Sequence, residues 1–409
     1  MRAYEKSHPW LTFELNLSPA PPELWLLLGE ARSKFDHIAG VPLRPETARE
    51  LNRLFLAKGA LATTAIEGNT LSEEEVVKLL EGKLRLPASR QYLAKEVDNI
   101  VQACNSIVKR IEAGQPSTLT PGTVKEFNRQ VLEGLELESG VVPGRIREHS
   151  VSVGNYPGVP AQDCEHLLSR LCEWLSDRGF KPDGQLKPYR LGFAVLKAIV
   201  AHVYLAWIHP FGDGNGRTAR LVELQILFSS GVPMPAAHLL SNHYNQTRAE
   251  YYRQLAHASR KGGDIIPFVL YALRGLVDGL RSELGLIREQ QWDVAWRSHI
   301  HELFMGQNGG SAERRKHLVL DLSMKSEPVQ RSSLRDMSPR IASAYATKTD
   351  MTLTRDLNEL LRMGLIRKTP KGWVARRETI LAFLPPRGME TDDELSLQQD
   401  LPLELLETA

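Results

Sequence analysis

The chain has 409 residues, enough for two or three domains, and its hydrophobic fraction of 42% is sufficient to bury a core. The 51 Lys and Arg residues nearly balance 49 Asp and Glu residues, and the net charge of +2 excludes a nucleic-acid-binding surface over the whole protein. The lack of a signal-like start and of an uninterrupted membrane-length apolar run predicts a soluble protein without a membrane partner. Three cysteines without metal-binding or redox spacing are typical of the reducing cytoplasm.

The first 116 residues are expected to form an N-terminal helical region behind an irregular arm over residues 1–20. Prolines or capping residues open its helices and glycines close them. The helices are predicted at Glu23–His37, from Pro45 to Gly68, at Glu73–Leu80 and at 89–113. Ser72 and Glu75 form the predicted capping box of the third helix.

Residues 117–275 are expected to form a second domain that is helical except for one extended stretch. In residues 143–160, valines alternate with serines between glycine and proline residues, which predicts a short β-hairpin. The run Tyr189–Ile208 is apolar on nearly all sides, as expected for the buried central helix of a bundle. His202 in this run is interpreted as a core histidine with satisfied hydrogen bonds.

A glycine-rich loop, His209–Arg220, follows the central helix and reads HPFGDGNGRTAR. Pro210 disfavours helical geometry at His209, so the helix is predicted to end at about Ile208 and the next one to begin at Arg217. The glycines allow a tight turn and a close approach of the backbone to a ligand. Because the loop amides lie at a helix N-terminus, the segment predicts an anion-binding site.

The residue types in this loop indicate a phosphate and metal site beside a base. Asp213 can supply the one carboxylate that holds Mg²⁺ together with substrate phosphates. Arg217 and Arg220 are close enough on one helix for both to bind phosphate oxygens. His209 titrates near neutral pH and can take a proton from an incoming hydroxyl group. The pattern predicts a nucleoside triphosphate held for attack by an external nucleophile.

The composition changes after a glycine-rich run at Gly306–Gly310. Residues 276–310 are predicted to be a helical linker that this run closes. Residues 386–409 are rich in Asp and Glu and are expected to be a disordered acidic tail.

Between the linker and the tail, residues 311–385 resemble a winged-helix module. Residues 311–380 contain 15 Lys and Arg against 8 Asp and Glu, and leucines at helical spacing in Thr352–Met363 precede a predicted hairpin. The side of this helix that would enter a DNA groove carries Thr354, Arg355 and Asn358. The resemblance implies either a DNA contact or a protein-docking surface.

The loop His209–Arg220 matches, at every fixed position, the signature of Fic-domain proteins: His-Pro-Phe-x-Asp-Gly-Asn-Gly-Arg-x-x-Arg. The resemblance implies a mainly α fold, a Fic-type helical bundle with a short β-hairpin flap. It also implies transfer of AMP from ATP, with Mg²⁺, to a Ser, Thr or Tyr hydroxyl of a target protein. In such an enzyme His209 would be the general base and Asp213 the metal ligand.

The resemblance assigns further nucleotide-binding roles. The loop amides and Asn215 would hold the α- and β-phosphates, Arg217 would assist, and Arg220 would hold the γ-phosphate. Phe211 is expected to anchor the loop in the core. The residues expected to contact the nucleotide are Glu67, Val153, Gly154, Asn155, Tyr156, His209, Gly214, Asn215, Gly216, Arg217, Thr218, Ala219, Arg220, Tyr251 and Tyr252.

Residues 63–68, at the end of the second predicted helix, resemble the autoinhibitory motif of a large Fic subgroup: Ser or Thr, three residues, Glu, then Gly or Asn. The resemblance implies that Glu67 pairs with Arg220 and so prevents it from orienting the γ-phosphate. The alternative is that Glu67 is an ordinary carboxylate at a helix end.

Two other segments resemble parts of Fic proteins. The hairpin at 143–160 resembles the flap that clamps the target chain by strand addition. The tyrosines Tyr251 and Tyr252 resemble a pair that lies against adenine, although Thr247 stands where many relatives have Asn. The alternative is that these tyrosines only pack helices together.

The sequence is interpreted as a protein adenylyltransferase that is held back by Glu67. One alternative is removal of AMP from a modified target, with Glu67 positioning a water molecule. A second is transfer of another nucleotide or of a phosphate, and a third is a DNA-binding regulator whose nucleotide site is a sensor. The family resemblance also allows a homodimer, for which the sequence identifies no interface.

Overall fold

The computed structural model describes residues 2–42, 45–115, 117–153, 156–180, 189–260, 262–307 and 309–380. Helices dominate these residues, which confirms the predicted mainly α fold class. The chain divides into two compact units, Met1–Leu284 and Gly285–Ala409. The predicted acidic tail at 386–409 lies outside the described residues.

The first unit is a bundle of helices with one small hairpin. Its helices are α1 (Ala3–Ser7), α2 (Pro22–Gly40), α3 (Pro45–Ala65), α4 (Glu73–Leu80), α5 (Gln91–Glu112), α6 (Pro121–Val131), α7 (Ala161–Ser176), α8 (Arg190–Ile208), α9 (Asn215–Ser229), α10 (Met234–Ala237), α11 (Leu239–Gln246) and α12 (Arg248–Arg260). The helix α13 (Ile266–Leu303) begins in this unit and contains its boundary. Proline opens α2, α3 and α6, where its missing N–H has no cost. Ser72 and Glu75 form the predicted capping box of α4.

The helix α8 lies at the centre of the first unit, as predicted, and almost all of its side chains are buried. Among the described helices, α8 and α9 make the most extensive contact. By length and composition α8 could also cross a membrane, which the sequence analysis did not expect. However, 78% of its apolar window is buried within the fold, as in the core helix of a bundle.

The expectation of an irregular arm at residues 1–20 was wrong in part, because this segment contains α1 and is attached to the bundle. The Tyr4 backbone N–H donates to Asp163 Oδ2 at 2.8 Å, and the Phe13 N–H donates to the Tyr204 hydroxyl at 3.1 Å. Tyr4, Leu11 and Phe13 are buried. The apolar surface that these side chains remove from water stabilises the ordered arm.

The predicted hairpin is present but short. Its antiparallel strands are β1 (Ser152–Val153) and β2 (Tyr156–Pro157), with Ser152 opposite Pro157 and Val153 opposite Tyr156. A pair of two-residue strands is not stable alone. Side-chain contacts with the segments around the loop after α8 hold the hairpin in place, as described below.

The second unit has its own hydrophobic core. Beyond the end of α13 it contains α14 (Gly310–Leu322), α15 (Pro339–Tyr345), α16 (Asp350–Arg362), β3 (Ile366–Thr369) and β4 (Gly372–Ala375). The strands β3 and β4 form an antiparallel hairpin, and Val329 adds an isolated bridge to Trp373. Asp356 is buried in α16, where it accepts hydrogen bonds from Arg314 Nε at 3.1 Å and the Tyr345 hydroxyl at 2.8 Å.

Candidate active site

The loop between α8 and α9 is fixed by its own side chains. The helix α8 ends at Ile208, as predicted, and His209 adopts a left-handed conformation with φ +48°. Phe211 is buried in the core, as the resemblance implied. The next helix begins at Asn215 rather than at Arg217, because the Asn215 side chain bridges back to the loop. Its Oδ1 accepts from the Phe211 N–H and its Nδ2 donates to the Phe211 carbonyl, both at 2.9 Å.

A cavity of about 860 Å³ lies beside this loop. Small-ligand sites usually measure roughly 300–1,000 Å³. The cavity is lined by predicted nucleotide-binding residues from four separate segments, namely Glu67, Tyr156, His209, Asn215, Gly216, Ala219, Tyr251 and Tyr252. Tertiary folding therefore brings together residues that are far apart in the sequence.

His209 is half-buried in the wall of this cavity. Burial, and then the positive charge of Arg147, lower the pKa of His209 to about 4. The ring is therefore neutral at pH 7. It hydrogen-bonds with the backbone of Ala206, which leaves its other nitrogen able to accept a proton.

Arg147 connects His209 to the hairpin segment. Its Nε donates to the His209 carbonyl at 2.7 Å, and its Nη2 donates to the Val159 carbonyl at 2.6 Å. The Arg147 backbone N–H donates to the Pro210 carbonyl at 3.0 Å. This side chain therefore fixes the backbone of the residue that carries the candidate base.

Glu67 binds Arg220 directly. Its Oε1 accepts a hydrogen bond of 2.5 Å from Arg220 Nη2, which also donates to the Thr63 carbonyl at 2.9 Å. Burial favours the neutral carboxyl group, but the charge and the hydrogen bond of Arg220, together with the charge of Arg217, outweigh it and lower the pKa of Glu67. A Cβ atom at Gly216 would lie 2.2 Å from Glu67 Oε1. The Glu67 carboxylate therefore occupies the N-terminal turn of α9, where the sequence predicted an anion.

Arg220 has hydrogen-bonding capacity that Glu67 does not use. The residue is 2% exposed, and its Nε and Nη1 are buried without a hydrogen-bond partner among the described residues. An unsatisfied buried donor on a charged group is costly. Phosphate oxygens would satisfy it.

Asp213 and Arg217 face another cavity, of about 720 Å³, which Glu96 also lines. Arg217 Nη2 lies 3.2 Å from Asp213 Oδ2, and Arg217 Nη1 lies 3.1 Å from Glu96 Oε1. The Asp213 side chain is 49% exposed, whereas that of Arg217 is 6% exposed. The predicted metal ligand is thus bound to an arginine in this structure, and it lines a different cavity from His209.

Two other predicted loop residues, Gly214 and Thr218, stabilise the loop itself. Gly214 has φ +75° and precedes the first residue of α9. The Thr218 hydroxyl donates to the Gly214 carbonyl at 2.7 Å. Asn128 Nδ2 donates to the Asp213 carbonyl at 2.8 Å, and Asn128 Oδ1 accepts from the Gly144 N–H at 2.9 Å.

The two tyrosines of α12 differ in environment. Tyr251 is buried, and its hydroxyl lies 2.8 Å from His202 Nε2. His202 is buried, as predicted, but its Nδ1, 3.1 Å from Glu223 Oε2, makes no hydrogen bond among the described residues, so the prediction of satisfied hydrogen bonds was wrong in part. Tyr252 is 41% exposed, and the Arg248 guanidinium lies 6.0 Å from its ring centre. Both residues line the larger cavity.

The hairpin contributes Tyr156 to the larger cavity. The Tyr156 hydroxyl donates to the Trp207 carbonyl at 3.0 Å, next to the loop. His8 and Trp10 pack against the Tyr156 ring, with ring centres 5.7 and 6.4 Å away. The predicted contacts at Gly154 and Asn155, and those of the Val153 side chain, lie outside the described residues.

A comparison with protein families matches residues 118–227 to the Fic/DOC family. The chain contains a Fic/DOC domain. The match includes α6, the hairpin, α7, α8 and nearly all of α9, and therefore the entire loop from His209 to Arg220.

Curated proteins are similar to part of this chain. The protein adenylyltransferase fic-1 of Caenorhabditis elegans is 28% identical over 259 residues, which are 63% of this chain and 46% of that protein. The protein adenylyltransferase Fic of Nematostella vectensis is 30% identical over 213 residues, which are 52% of this chain and 45% of that protein. The chain thus spans about half the length of the curated relatives it matches.

Solved structures show the same fold. Fic-1 from C. elegans aligns with a TM-score of 0.51 and 26% identity over 65% of this chain and 73% of that one. A Fic family protein from Desulfovibrio desulfuricans aligns with a TM-score of 0.53 and 21% identity over 92% of this chain and all of that one. At this identity the second match supports the fold alone.

The larger cavity is completed by residues outside the matched Fic/DOC domain. Glu67 comes from the turn after α3, Trp10 from the N-terminal arm, and Tyr251 and Tyr252 from α12. Sequence reasoning missed Trp10 and three polar residues around the loop: Arg147, Asn128 and Glu96. Nothing in their spacing distinguishes them from surface residues, because each acts on a segment that only the fold brings near.

Proposed function

We propose that this protein transfers AMP from ATP to a hydroxyl side chain of a target protein, and that Glu67 inhibits the transfer. The observation that carries this assignment is the shared cavity, in which a neutral His209 faces the same space as the Glu67 carboxylate bound to Arg220. The names of the curated relatives, protein adenylyltransferases, supply the reaction class.

In the proposed reaction, the hydroxyl oxygen of the target attacks the α-phosphorus of ATP. The bond from that phosphorus to the bridging oxygen breaks, and pyrophosphate leaves with the bonding electron pair. The hydroxyl proton passes to the free nitrogen of the His209 imidazole, which its low pKa keeps unprotonated at pH 7. The backbone amides at the start of α9 and Arg220 would stabilise the phosphate charge.

A divalent cation fits the loop in one way only. Among the described residues, no group of three or more His, Cys, Asp or Glu side chains could hold a metal ion. Asp213 offers one half-exposed carboxylate, so Mg²⁺ would need phosphate oxygens and water as its other ligands. When bound, it would neutralise phosphate charge. Arg217 would compete with it for the Asp213 carboxylate.

Inhibition follows from competition for Arg220. While Glu67 binds Nη2 and occupies the N-terminal turn of α9, a γ-phosphate meets a carboxylate of the same charge. A charge-assisted hydrogen bond of this kind contributes about 1.5–3 kcal/mol, so its loss would increase productive ATP binding about tenfold to a hundredfold.

The test uses purified protein and ATP labelled on the α- or on the γ-phosphate. Glu67→Gly should raise transfer of α-label to protein about tenfold or more over the wild type, since Arg220 is then free. His209→Ala in the Glu67→Gly background should abolish it. Label transferred from the γ-position would indicate phosphorylation. Tight ATP binding without transfer of either label would indicate a nucleotide sensor.

A second reaction is favoured by the position of Glu67 in the same cavity as His209. A carboxylate there could orient a water molecule for removal of AMP from a modified target. Glu67→Gly would then abolish release of AMP from the modified target while raising its addition. Unchanged release by this variant would exclude the second reaction.

We also propose that residues 311–385 form a winged helix that binds DNA. The helix α16 exposes Arg355 and Asn358, and the β3–β4 hairpin exposes Lys368 and Lys371. Thr354, the third residue expected at the groove, accepts a hydrogen bond of 2.6 Å from Arg331 Nη2. The basic residues would contact phosphates, and Asn358 would reach a base edge.

We propose a cytoplasmic location on the basis of the thiols. Cys104, Cys164 and Cys172 are free and buried. Burial raises the pKa of Cys164 to about 11 and that of Cys104 to about 12, so these thiols are unreactive. Free cysteines are typical of a reducing compartment.

A further inference from the structure

Glu67 is not the only residue of the turn after α3 that is connected to the catalytic loop. Asn69, two residues later, is 6% exposed, and its Nδ2 donates to Glu96 Oε2 at 2.8 Å. The other oxygen of Glu96 accepts from Arg217 Nη1 at 3.1 Å. Arg217 Nη2 in turn reaches Asp213. A continuous chain of polar contacts therefore links the inhibitory turn to the predicted metal ligand.

We propose that Glu96 is a positioning residue through which the inhibitory turn controls Asp213. This role rests on the proposed nucleotide and cation binding at the loop. Asn69 donates to one oxygen of Glu96, and Arg217 contacts only the other. The Asn69 hydrogen bond therefore competes with a two-pronged contact between the guanidinium and Glu96. The second guanidinium nitrogen instead binds Asp213, where it competes with a cation for that carboxylate.

The same chain of contacts would respond to a movement of the turn that carries Glu67 and Asn69. If Asn69 leaves Glu96, both carboxylate oxygens can bind Arg217, and Asp213 loses its positive partner. A free, half-exposed carboxylate is then available to a divalent cation. The turn thus inhibits twice, by placing Glu67 on Arg220 and by keeping Arg217 on Asp213. By linkage, a cation at Asp213 weakens the hold of Glu96 on Asn69.

The test measures binding of an ATP analogue with a methylene group between the α- and β-phosphates, by calorimetry, without Mg²⁺ and with saturating Mg²⁺. The quantity of interest is the Kd without Mg²⁺ divided by the Kd with Mg²⁺. This ratio reports how strongly the cation supports nucleotide binding. Asn69→Ala should raise this ratio about threefold to tenfold, because Asp213 is released. Glu96→Gln should lower it by a similar factor, because Arg217 then has Asp213 as its remaining anionic partner.

Glu136→Gln is the matched control. It removes one exposed negative charge from the lining of the cavity that Glu96, Asp213 and Arg217 also line. The Kd ratio of the Glu136→Gln protein should equal that of the wild type. Thermal unfolding of each variant identifies any that fails to fold. The Kd ratios of Asn69→Ala and Glu96→Gln are interpreted independently of each other. A shift of both ratios in the same direction, or no shift in either, would overturn the role of Glu96.

The same measurements separate this role from the proposed function. Glu67→Gln should tighten binding without Mg²⁺ and leave the ratio near that of the wild type, since Asn69 and Glu96 remain in contact. If Glu67→Gln tightens binding but the Asn69 and Glu96 variants leave the ratio unchanged, only the role of Glu96 fails. If none of the variants binds the analogue, the proposed nucleotide site itself fails.

Discussion

At the scale of single residues, the site is defined by a buried cation beside a partly exposed carboxylate. Arg220 is 2% exposed and the Glu67 side chain 33% exposed, and the contact with Arg220 lowers the pKa of Glu67. Removing one partner of such a pair leaves the other charge uncompensated, which is strongly unfavourable. Arg220 must therefore bind either Glu67 or another anion. In the proposed function, this exchange would allow a single carboxylate to inhibit the enzyme.

The pKa of His209 predicts an unusual pH dependence. The value of about 4 in the folded protein keeps the imidazole neutral well below the pH at which a free histidine is protonated. The kcat/KM of the Glu67→Gly enzyme should therefore stay level as the pH falls from 8 to roughly 6. A fall with a midpoint near pH 6.5 would contradict this. The pH profile of label transfer from ATP measures it.

Arg147 provides the control for this profile. Burial makes the largest contribution to the low pKa of His209, and the positive charge of Arg147 makes the next largest. Arg147→Gln should therefore move the acidic limb of the profile toward neutral pH, whereas Arg147→Lys retains the charge and should move it less. Both variants remove the fixed guanidinium contact with the His209 carbonyl, so a loss of rate common to the two would report that contact.

At the scale of elements, α3 leads directly into the turn that carries Glu67. It packs against α11, α4 and α5, and Gly59 allows a close approach to His238. A Cβ atom at Gly59 would lie 2.1 Å from the Nδ1 atom of His238, which is 3% exposed. Neither the α3 backbone nor the buried His238 ring can move easily to relieve such a contact. The position of Glu67, in the turn after α3, therefore depends on packing several residues earlier, within that helix.

Gly59→Ala should destabilise the protein by about 1–3 kcal/mol through overpacking, seen as a lower Tm. It should also raise AMP transfer, because a displaced α3 weakens the contact between Glu67 and Arg220. Gly29→Ala on α2 is the control, since nothing lies within 4 Å of a Cβ there. That change should stabilise the helix by about 0.5–1 kcal/mol without altering transfer. Equal effects of the two substitutions would contradict the role of Gly59.

At the scale of the whole molecule, the chain combines two units with different surface chemistry. The first contains the Fic/DOC domain and the residues that complete its cavity. The second has a separate core built around Trp296, Leu318 and Leu357. Residues 311–380 carry an excess of basic side chains, whereas the chain as a whole is almost neutral. This asymmetry favours an electrostatic partner for the second unit.

The 409-residue chain should shift a DNA duplex at low salt, with an affinity that falls as salt rises. Lys368→Ala should reduce the slope of log affinity against log salt by about 1, since one phosphate contact is lost. Arg297→Ala, which removes an exposed charge elsewhere in the second unit, should leave the slope unchanged. No shift at low salt would favour protein docking instead.

The sequence predicted those elements whose cause is local. The limits of α4, α5 and α8 follow from capping residues, glycines and the proline after His209, so the periodicity located them closely. The loop between α8 and α9 could be interpreted from its residue types because nearly all of its chemistry lies within twelve positions. The arm at residues 1–20 could not, because its order depends on Asp163 and Tyr204.

The sequence by itself determined the helical fold class, the central helix and the residue types of an anion-binding loop beside a base, since each follows from spacing along the chain. Only the tertiary structure decided which partners the charged groups take. Arg220 meets Glu67 across 153 positions and Arg217 meets Glu96 across 121. Such pairings depend on how α3 and α5 pack against α9, and packing is a property of surfaces that no local pattern encodes.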